Sequence, residues 1–168
     1  MRFTKLKMIV MVVLVVSAAS VFAQEQLSDT GSVILTGSVP KKVRITVTPL
    51  NNYDALELDA DVSDLAVARV NERSNVFAGY TVKVASTNAS AGTPRFTGGA
   101  GSDFLEYTLK YDGAAVTFSG AEATITDATA RTSGSGVDKD LAISYNGSAA
   151  NIYEGTYSDT LTFTIEAK

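Results

Sequence analysis

The chain has 168 residues, of which 45% are apolar and 19% are charged, a composition typical of globular proteins. Cysteine, histidine and tryptophan are all absent. Their absence excludes a disulfide scaffold, zinc sites built on cysteine or histidine, catalysis by Cys–His or Ser–His–Asp groups, and lipid attachment through an N-terminal cysteine.

The first 23 residues have the pattern of a secretory signal peptide. Three basic residues precede the apolar run Met8–Val16, and small residues follow as far as Ala23. A membrane anchor is the weaker interpretation, because the apolar run has only about a dozen residues and a spanning helix needs roughly 20. We therefore predict that residues 1–23 are removed and that the mature chain begins at Gln24.

The net charge limits the classes of partner that the protein is expected to bind. It is −4 for the full chain, and loss of the three basic residues of the signal peptide changes it to −7. Because phosphate backbones repel an acidic domain whose sequence shows no basic cluster, nucleic acid is not an expected partner. No later stretch is apolar enough to span a bilayer. We expect a secreted protein without a transmembrane segment in its mature form, in the periplasm or at a bacterial cell surface.

Apolar and polar residues alternate with a period of two along most of the mature chain. In the clearest example, Thr156–Ala167, the mostly apolar odd-numbered residues share one side and the threonines lie on the other. Such alternation favours antiparallel strands with one buried face. About eight or nine short strands separated by loops rich in Gly, Ser, Asn and Asp predict one immunoglobulin-like antiparallel β-sandwich over residues 24–168. The predicted strand segments are Ser32–Ser38, Val43–Thr48, Leu56–Asp59, Tyr80–Ala85, Phe104–Tyr111, Ala115–Phe118, Leu141–Tyr145 and Thr156–Ala167.

Two local patterns add detail. Asp112-Gly113 lies between two strand segments, and this dipeptide favours the left-handed turn of a β-hairpin. The segment Asp61–Val70 is ambiguous, because its apolar residues fit the spacing of a helix nearly as well as that of a strand. We predict either a strand or a single helical turn there.

Carboxylates are the main candidates for chemistry, and they are densest between Asp54 and Asp64. Clustered carboxylates can bind Ca²⁺. An EF-hand loop counted from Asp59 would need glycine at Asp64 and glutamate at Val70, so a solvated loop between strands is the preferred interpretation. Ser38–Lys41 fits the bare Ser-x-x-Lys pattern of some acyl-transfer enzymes but lacks its companion motifs. We therefore predict no catalytic residue, cofactor or metal site, and a protein that is not an enzyme.

Aromatic side chains could instead bind a sugar by stacking on it. Most of the seven tyrosines alternate in phase with the core and are expected to be packing residues. Tyr53 and Tyr153 lie in stretches that contain asparagine and are the two tyrosines predicted to lie in loops. They are the candidate ligand contacts of a monomeric secreted module that binds a glycan or another ligand.

Segments that can form strands lie at both ends of the mature chain. They would suit strand addition, in which an extension of one subunit completes the sheet of the next. We predict that Val33, Leu35 and Val39 of such a donor segment, residues 24–40, insert beside the strand of a neighbour. The apolar residues of that strand are Leu161, Phe163 and Ile165. The alternative is that Ser32–Val39 is the first strand of its own sandwich.

Several short motifs resemble those of bacterial pilin-like secreted β-sandwiches, of which spore coat U-type proteins and chaperone–usher fimbrial subunits are the nearest groups. They are Leu35–Pro40, Ser74-Asn75, Gly79–Val82 and, most specifically, the ending Gly155–Ile165. The resemblance implies an exported subunit that partners copies of itself or related subunits and a periplasmic chaperone. It also implies assembly by donor strands into surface fibres with a structural or adhesive role.

Overall fold

The computed structural model describes residues 28–50, 53–100 and 103–168, so the predicted signal peptide, residues 1–23, lies outside the described part. Within the described part there is no helix, and therefore none that is long and apolar enough to cross a membrane. Ten strands are present. They are β1 (Val43–Pro49), β2 (Asp61–Ser74), β3 (Tyr80–Ser86), β4 (Arg95–Gly98), β5 (Phe104–Tyr111), β6 (Ala114–Ala115), β7 (Glu122–Ala128), β8 (Val137–Asn146), β9 (Tyr157–Ser158) and β10 (Leu161–Ala167).

The strands form two sheets, and every pair is antiparallel. The first has the order β1-β2-β8-β5-β4-β9, with β6 paired to β5, and the second has the order β10-β3-β7. Tyr80–Ser86 shows the expected alternation, because every second side chain of β3 is buried. The predicted all-β sandwich is confirmed.

β2 resolves the ambiguity of the segment that begins at Asp61, because it is one strand of 14 residues. Its register against β8 shifts twice, between Val62 and Leu65 and between Ala66 and Ala68. Such bulges insert extra residues and change which face a side chain occupies. The consecutive residues Val67 and Ala68 are consequently both buried, which simple alternation along a strand does not predict.

The core lies between the sheets and is mainly aliphatic and aromatic. Phe96 packs against Tyr107, with ring centroids 4.6 Å apart, and against Tyr145 edge-on at 6.0 Å. The buried residues of the core cluster are Val67, Ala68, Val70, Val84, Phe96, Leu105, Tyr107, Leu109, Tyr111, Phe118, Ala123, Leu141, Ile143 and Tyr145.

The predicted hairpin turn is present between β5 and β6. Asp112 and Gly113 both have positive φ angles, 52° and 77°, as a two-residue type I′ turn requires. The strand after the turn is shorter than the predicted Ala115–Phe118, since the ladder to β5 ends at Ala115 and Phe118 instead buries its ring in the core.

The predicted continuous strand Thr156–Ala167 is wrong, because the chain changes sheets in its middle. β9 pairs with β4 in the first sheet, and β10 pairs with β3 in the second. Asp159, between them, accepts hydrogen bonds from the Ser86 hydroxyl at 2.6 Å and the Tyr107 hydroxyl at 2.6 Å. Its other carboxylate oxygen accepts from the backbone N–H groups of Asn88 and Thr160. The carboxylate therefore fixes the crossover.

The N-terminal strand prediction is also wrong: residues 28–42 belong to no strand. The first strand, β1, pairs with β2, and the ladder begins where Val43 lies opposite Ser74. Pro40, three residues earlier, has no N–H to donate to a ladder. Residues 56–59 likewise form turns and irregular backbone rather than a strand. Ser38–Lys168 forms one compact unit, and the described residues 28–37 are not part of it.

Candidate interaction surfaces

The predicted donor residues are exposed. The exposed fractions of Val33, Leu35 and Val39 are 80%, 88% and 84%, and Ile34 is similarly exposed. Isolated exposed apolar side chains are ordinary, but four within seven residues form an apolar segment whose burial would be favourable.

The predicted acceptor residues lie on β10, an edge strand of the smaller sheet. Leu161, Phe163 and Ile165 are half-buried, on the side of the strand that faces inward. β10 approaches β1, the edge strand of the larger sheet, with Cα–Cα distances of 8 Å or less. Among the described residues no backbone hydrogen bond joins these two strands, so each has one unpaired edge.

β1 contributes further apolar surface to this seam between the sheets. Ile45 is half-buried against the core, and 39% of the Val47 side chain is exposed. The seam between β1 and β10 thus has two open backbone edges and apolar side chains whose burial is incomplete.

The two loop tyrosines lie together. Tyr53 and Tyr153 are 52% and 65% exposed, and both line a surface depression of about 750 Å³. The backbone N–H of Tyr153 donates to Asp103 at 2.9 Å, and the Tyr157 hydroxyl donates to the Tyr153 carbonyl at 2.8 Å, so this loop is anchored. The charged residues of the lining are all acidic: Asp54, Glu57, Asp59, Glu154 and Asp159.

The acidic segment between Asp54 and Asp64 divides between a turn and a strand. Asp61 and Asp64 belong to β2 instead of a loop. Lys110 forms an ion pair with Asp64 at 2.7 Å, and this hydrogen-bonded contact lowers the pKa of the Asp64 carboxyl. Asp61 accepts a hydrogen bond from the backbone of Ser148. Within the described part of the chain, no three carboxylates are grouped closely enough to hold a metal ion.

Sequence reasoning missed a buried carboxylate. Glu72 on β2 is 0% exposed, and one of its oxygens accepts from the hydroxyls of Tyr111 at 2.6 Å and Thr126 at 2.7 Å. The other oxygen accepts from the Tyr80 hydroxyl at 2.9 Å and pairs with the Lys139 ammonium at 3.2 Å. We call these five residues the Glu72 cluster. Its members come from both sheets, so it joins the two layers.

The Glu72 cluster changes the titration of its tyrosines. Burial and the adjacent Glu72 carboxylate raise the pKa values of Tyr80 and Tyr111 far above the ordinary value of 10.0. Burial and the Asp159 carboxylate do the same to the pKa of Tyr107. These neutral hydroxyls are satisfied donors to carboxylates, which is the arrangement of a structural network.

The chain matches no protein-family model, and no curated protein is significantly similar to it.

Proposed function

We propose that this protein is an exported structural or adhesive subunit that assembles with copies of itself, or with related subunits, by strand addition. The main support for this proposal is the segment Val33–Val39, whose apolar side chains are exposed and which forms no strand of its own. Its period-two side chains match a sheet that has an open edge at β10. The pilin-like motifs and the signal-peptide pattern support the same proposal.

The energetics favour insertion into a neighbouring molecule. An added strand gains main-chain hydrogen bonds along an unpaired edge. Complete burial of Val33, Leu35 and Val39 would contribute about 1.5–3 kcal/mol for each side chain, before the cost of ordering the segment is subtracted. Half-buried Leu161, Phe163 and Ile165 would lose further contact with water in the same step.

A complementation experiment tests this proposal. A variant lacking Gln24–Pro40 is mixed with a synthetic peptide of residues 28–40, and binding is followed by the increase in thermal unfolding temperature. We expect the peptide to bind and stabilise the variant. In parallel, light scattering should show that the chain beginning at Gln24 forms oligomers and that the shortened variant does not.

Two point substitutions provide a matched comparison. Leu35→Asp places a charge in phase with Val33 and Val39, whereas Thr36→Asp places the same charge one residue out of phase. Because strand side chains alternate, the Leu35→Asp peptide should lose binding and the Thr36→Asp peptide should retain most of it. Equal effects of the two substitutions would contradict strand insertion, as would a peptide that does not bind.

A monomeric ligand-binding module is the second candidate, favoured by the shared depression of Tyr53 and Tyr153. Two exposed rings at one depression can pack against a sugar face. The acidic lining suits a neutral or cationic ligand. A protein that stays monomeric and does not bind the peptide of residues 28–40 would favour this function over assembly.

A further inference from the structure

A strongly basic cleft lies at the end of the sandwich where β1 begins and β2 ends. It has a volume of about 1190 Å³ and is lined by residues of 41–44, 73–75 and 131–134. Folding brings together five cationic side chains that are dispersed in the sequence, and no described lining residue is acidic. They are Lys41, Lys42, Arg44, Arg73 and Arg131.

Four of these cations, Lys42, Arg44, Arg73 and Arg131, form no ion pair among the described residues, whereas the Lys41 ammonium donates to a main-chain oxygen of Lys168 at 2.8 Å. Arg69, Lys110, Lys139 and Lys168 each form an ion pair with an aspartate or glutamate. Unpaired like charges repel one another, so an anion in the cleft would relieve that repulsion.

The backbone that carries the cations is cross-linked by hydrogen bonds. The Asn75 side chain accepts from the backbone N–H of Lys42 at 2.6 Å and donates to the Pro40 carbonyl at 3.0 Å. The Thr132 hydroxyl accepts from the backbone N–H of Ser74 at 3.0 Å, which ties the third segment to the end of β2. A site whose segments are held in place before binding loses less entropy when a ligand arrives.

The lining restricts the chemistry of the ligand. Guanidinium groups bind carboxylate, sulfate and phosphate oxygens through paired hydrogen bonds. The described lining contains no aromatic side chain on which a nucleic-acid base could stack. Outside the cleft, residues 24–168 have only six basic residues against 18 acidic ones, so a long rigid polyanion would be repelled beyond the cleft.

We propose that this cleft binds an acidic oligosaccharide, one whose carboxylate or sulfate groups pair with Arg44, Arg73 and Arg131. The Ser133 hydroxyl in the lining is exposed and donates to the Gly136 carbonyl, so its oxygen can still accept from a sugar hydroxyl. Ser74, Asn75 and Thr132 are already engaged in hydrogen bonds within the protein. The site shares Val43 and Arg44 with the start of β1, so it adjoins the β1–β10 seam, but it shares no lining residue with the acidic depression. Its function does not require subunit assembly.

Calorimetry at low salt tests the proposal. The probes are a sulfated oligosaccharide, a galacturonate oligosaccharide, a neutral oligosaccharide of equal length and a single-stranded DNA oligonucleotide. We expect at least one acidic oligosaccharide to bind, the neutral one not to bind, and affinity to fall as salt is raised. Tighter binding of the DNA, or no binding of either acidic oligosaccharide, would overturn the proposal.

Charge-neutralising variants locate the binding. Arg73→Gln and Arg131→Gln should each reduce affinity at least tenfold. Arg69→Gln is the matched control, because Arg69 lies on β2 four residues before Arg73, is also exposed, and forms an ion pair outside the cleft. It should change affinity less than twofold. Equal losses in all three variants would show a general charge effect and contradict the site, as would unchanged binding in Arg73→Gln and Arg131→Gln. Arg44→Gln on β1 serves as a further cleft variant if either of the first two fails to fold.

Discussion

The Glu72 cluster makes a quantitative prediction about stability. Glu72→Gln keeps the shape of the side chain but replaces one of two acceptor oxygens with an NH₂ group. Each oxygen has two donors: the Tyr111 and Thr126 hydroxyls on one, and the Tyr80 hydroxyl and Lys139 ammonium on the other. Whichever oxygen is replaced, two donors lose their acceptor on Glu72, and among the described residues only Lys139 of the four has a second one, the Thr126 hydroxyl oxygen at 2.7 Å.

The structure allows the magnitude to be worked out. Hydrogen bonds to charged groups contribute about 1.5–3 kcal/mol each, so the loss of two predicts a decrease of about 3–6 kcal/mol in the free energy of unfolding. Disruption of buried ion pairs by removal of one partner falls in the same range, about 3–5 kcal/mol. Because domains of this kind are stable by only about 5–15 kcal/mol, the variant should be severely weakened.

Urea unfolding, followed by far-ultraviolet circular dichroism, measures the effect. With a denaturant slope of about 2 kcal/mol per M, the midpoint should fall by about 1.5–3 M. Asp140→Asn is the control, because it also changes a carboxylate to an amide and breaks an ion pair, with Arg69, but on the exposed surface. It should cost at most about 1 kcal/mol. A Glu72→Gln variant as stable as this control would refute the view that the cluster holds the two sheets together.

Two further predictions concern the buried hydroxyl–carboxylate contacts. Since the pKa values of Tyr80, Tyr107 and Tyr111 are raised above 10.0, the unfolded chain loses protons above pH 10 that the folded chain keeps. The contribution of these tyrosines to the free energy of unfolding should therefore be complete below pH 10. Above that pH it should fall by up to about 4 kcal/mol per pH unit for the three groups together. Urea unfolding at a series of alkaline pH values would measure the decrease, and a constant free energy between pH 10 and 11 would contradict the prediction. Asp159→Asn should destabilise the fold by about 2–4 kcal/mol, because one oxygen accepts two hydroxyls and the other two backbone N–H groups. Thermal unfolding beside Asp103→Asn would test this, because the asparagine oxygen can still accept from the one backbone N–H that Asp103 binds, that of Tyr153. Equal effects of the two substitutions would exclude a special role of Asp159 at the crossover.

Local patterns in the sequence correctly predicted those turns and strands whose conformation is set by neighbouring residues in the chain. The turn at Asp112-Gly113 follows from the ease with which these two residues adopt positive φ angles, and β3 follows from simple alternation. Alternation alone does not reveal where a strand leaves its sheet. Asp159 is the one charged residue on the otherwise apolar side of Thr156–Ala167, but the alternation resumes after it, and the chain crosses to the other layer because of contacts with residues more than 50 positions away.

The surfaces were less predictable than the strands. The loop assignment of Tyr53 and Tyr153 required only their local sequence, but their shared depression depends on how distant loops meet. The basic cleft could not be predicted from the sequence for the same reason. Arg44, Arg73 and Arg131 are far apart in the chain and come together only on folding. Glu72 is likewise indistinguishable in sequence from an exposed glutamate, because its partners come from other strands.

The Glu72 cluster also has a consequence for where the protein can fold. Many exported sandwiches of small size join their layers covalently and therefore need an oxidising environment and its enzymes. Here an ion pair and three hydroxyls connect the layers, and the chain has no thiol at all. Maturation of this domain is therefore independent of redox potential, and a reducing agent should leave it intact.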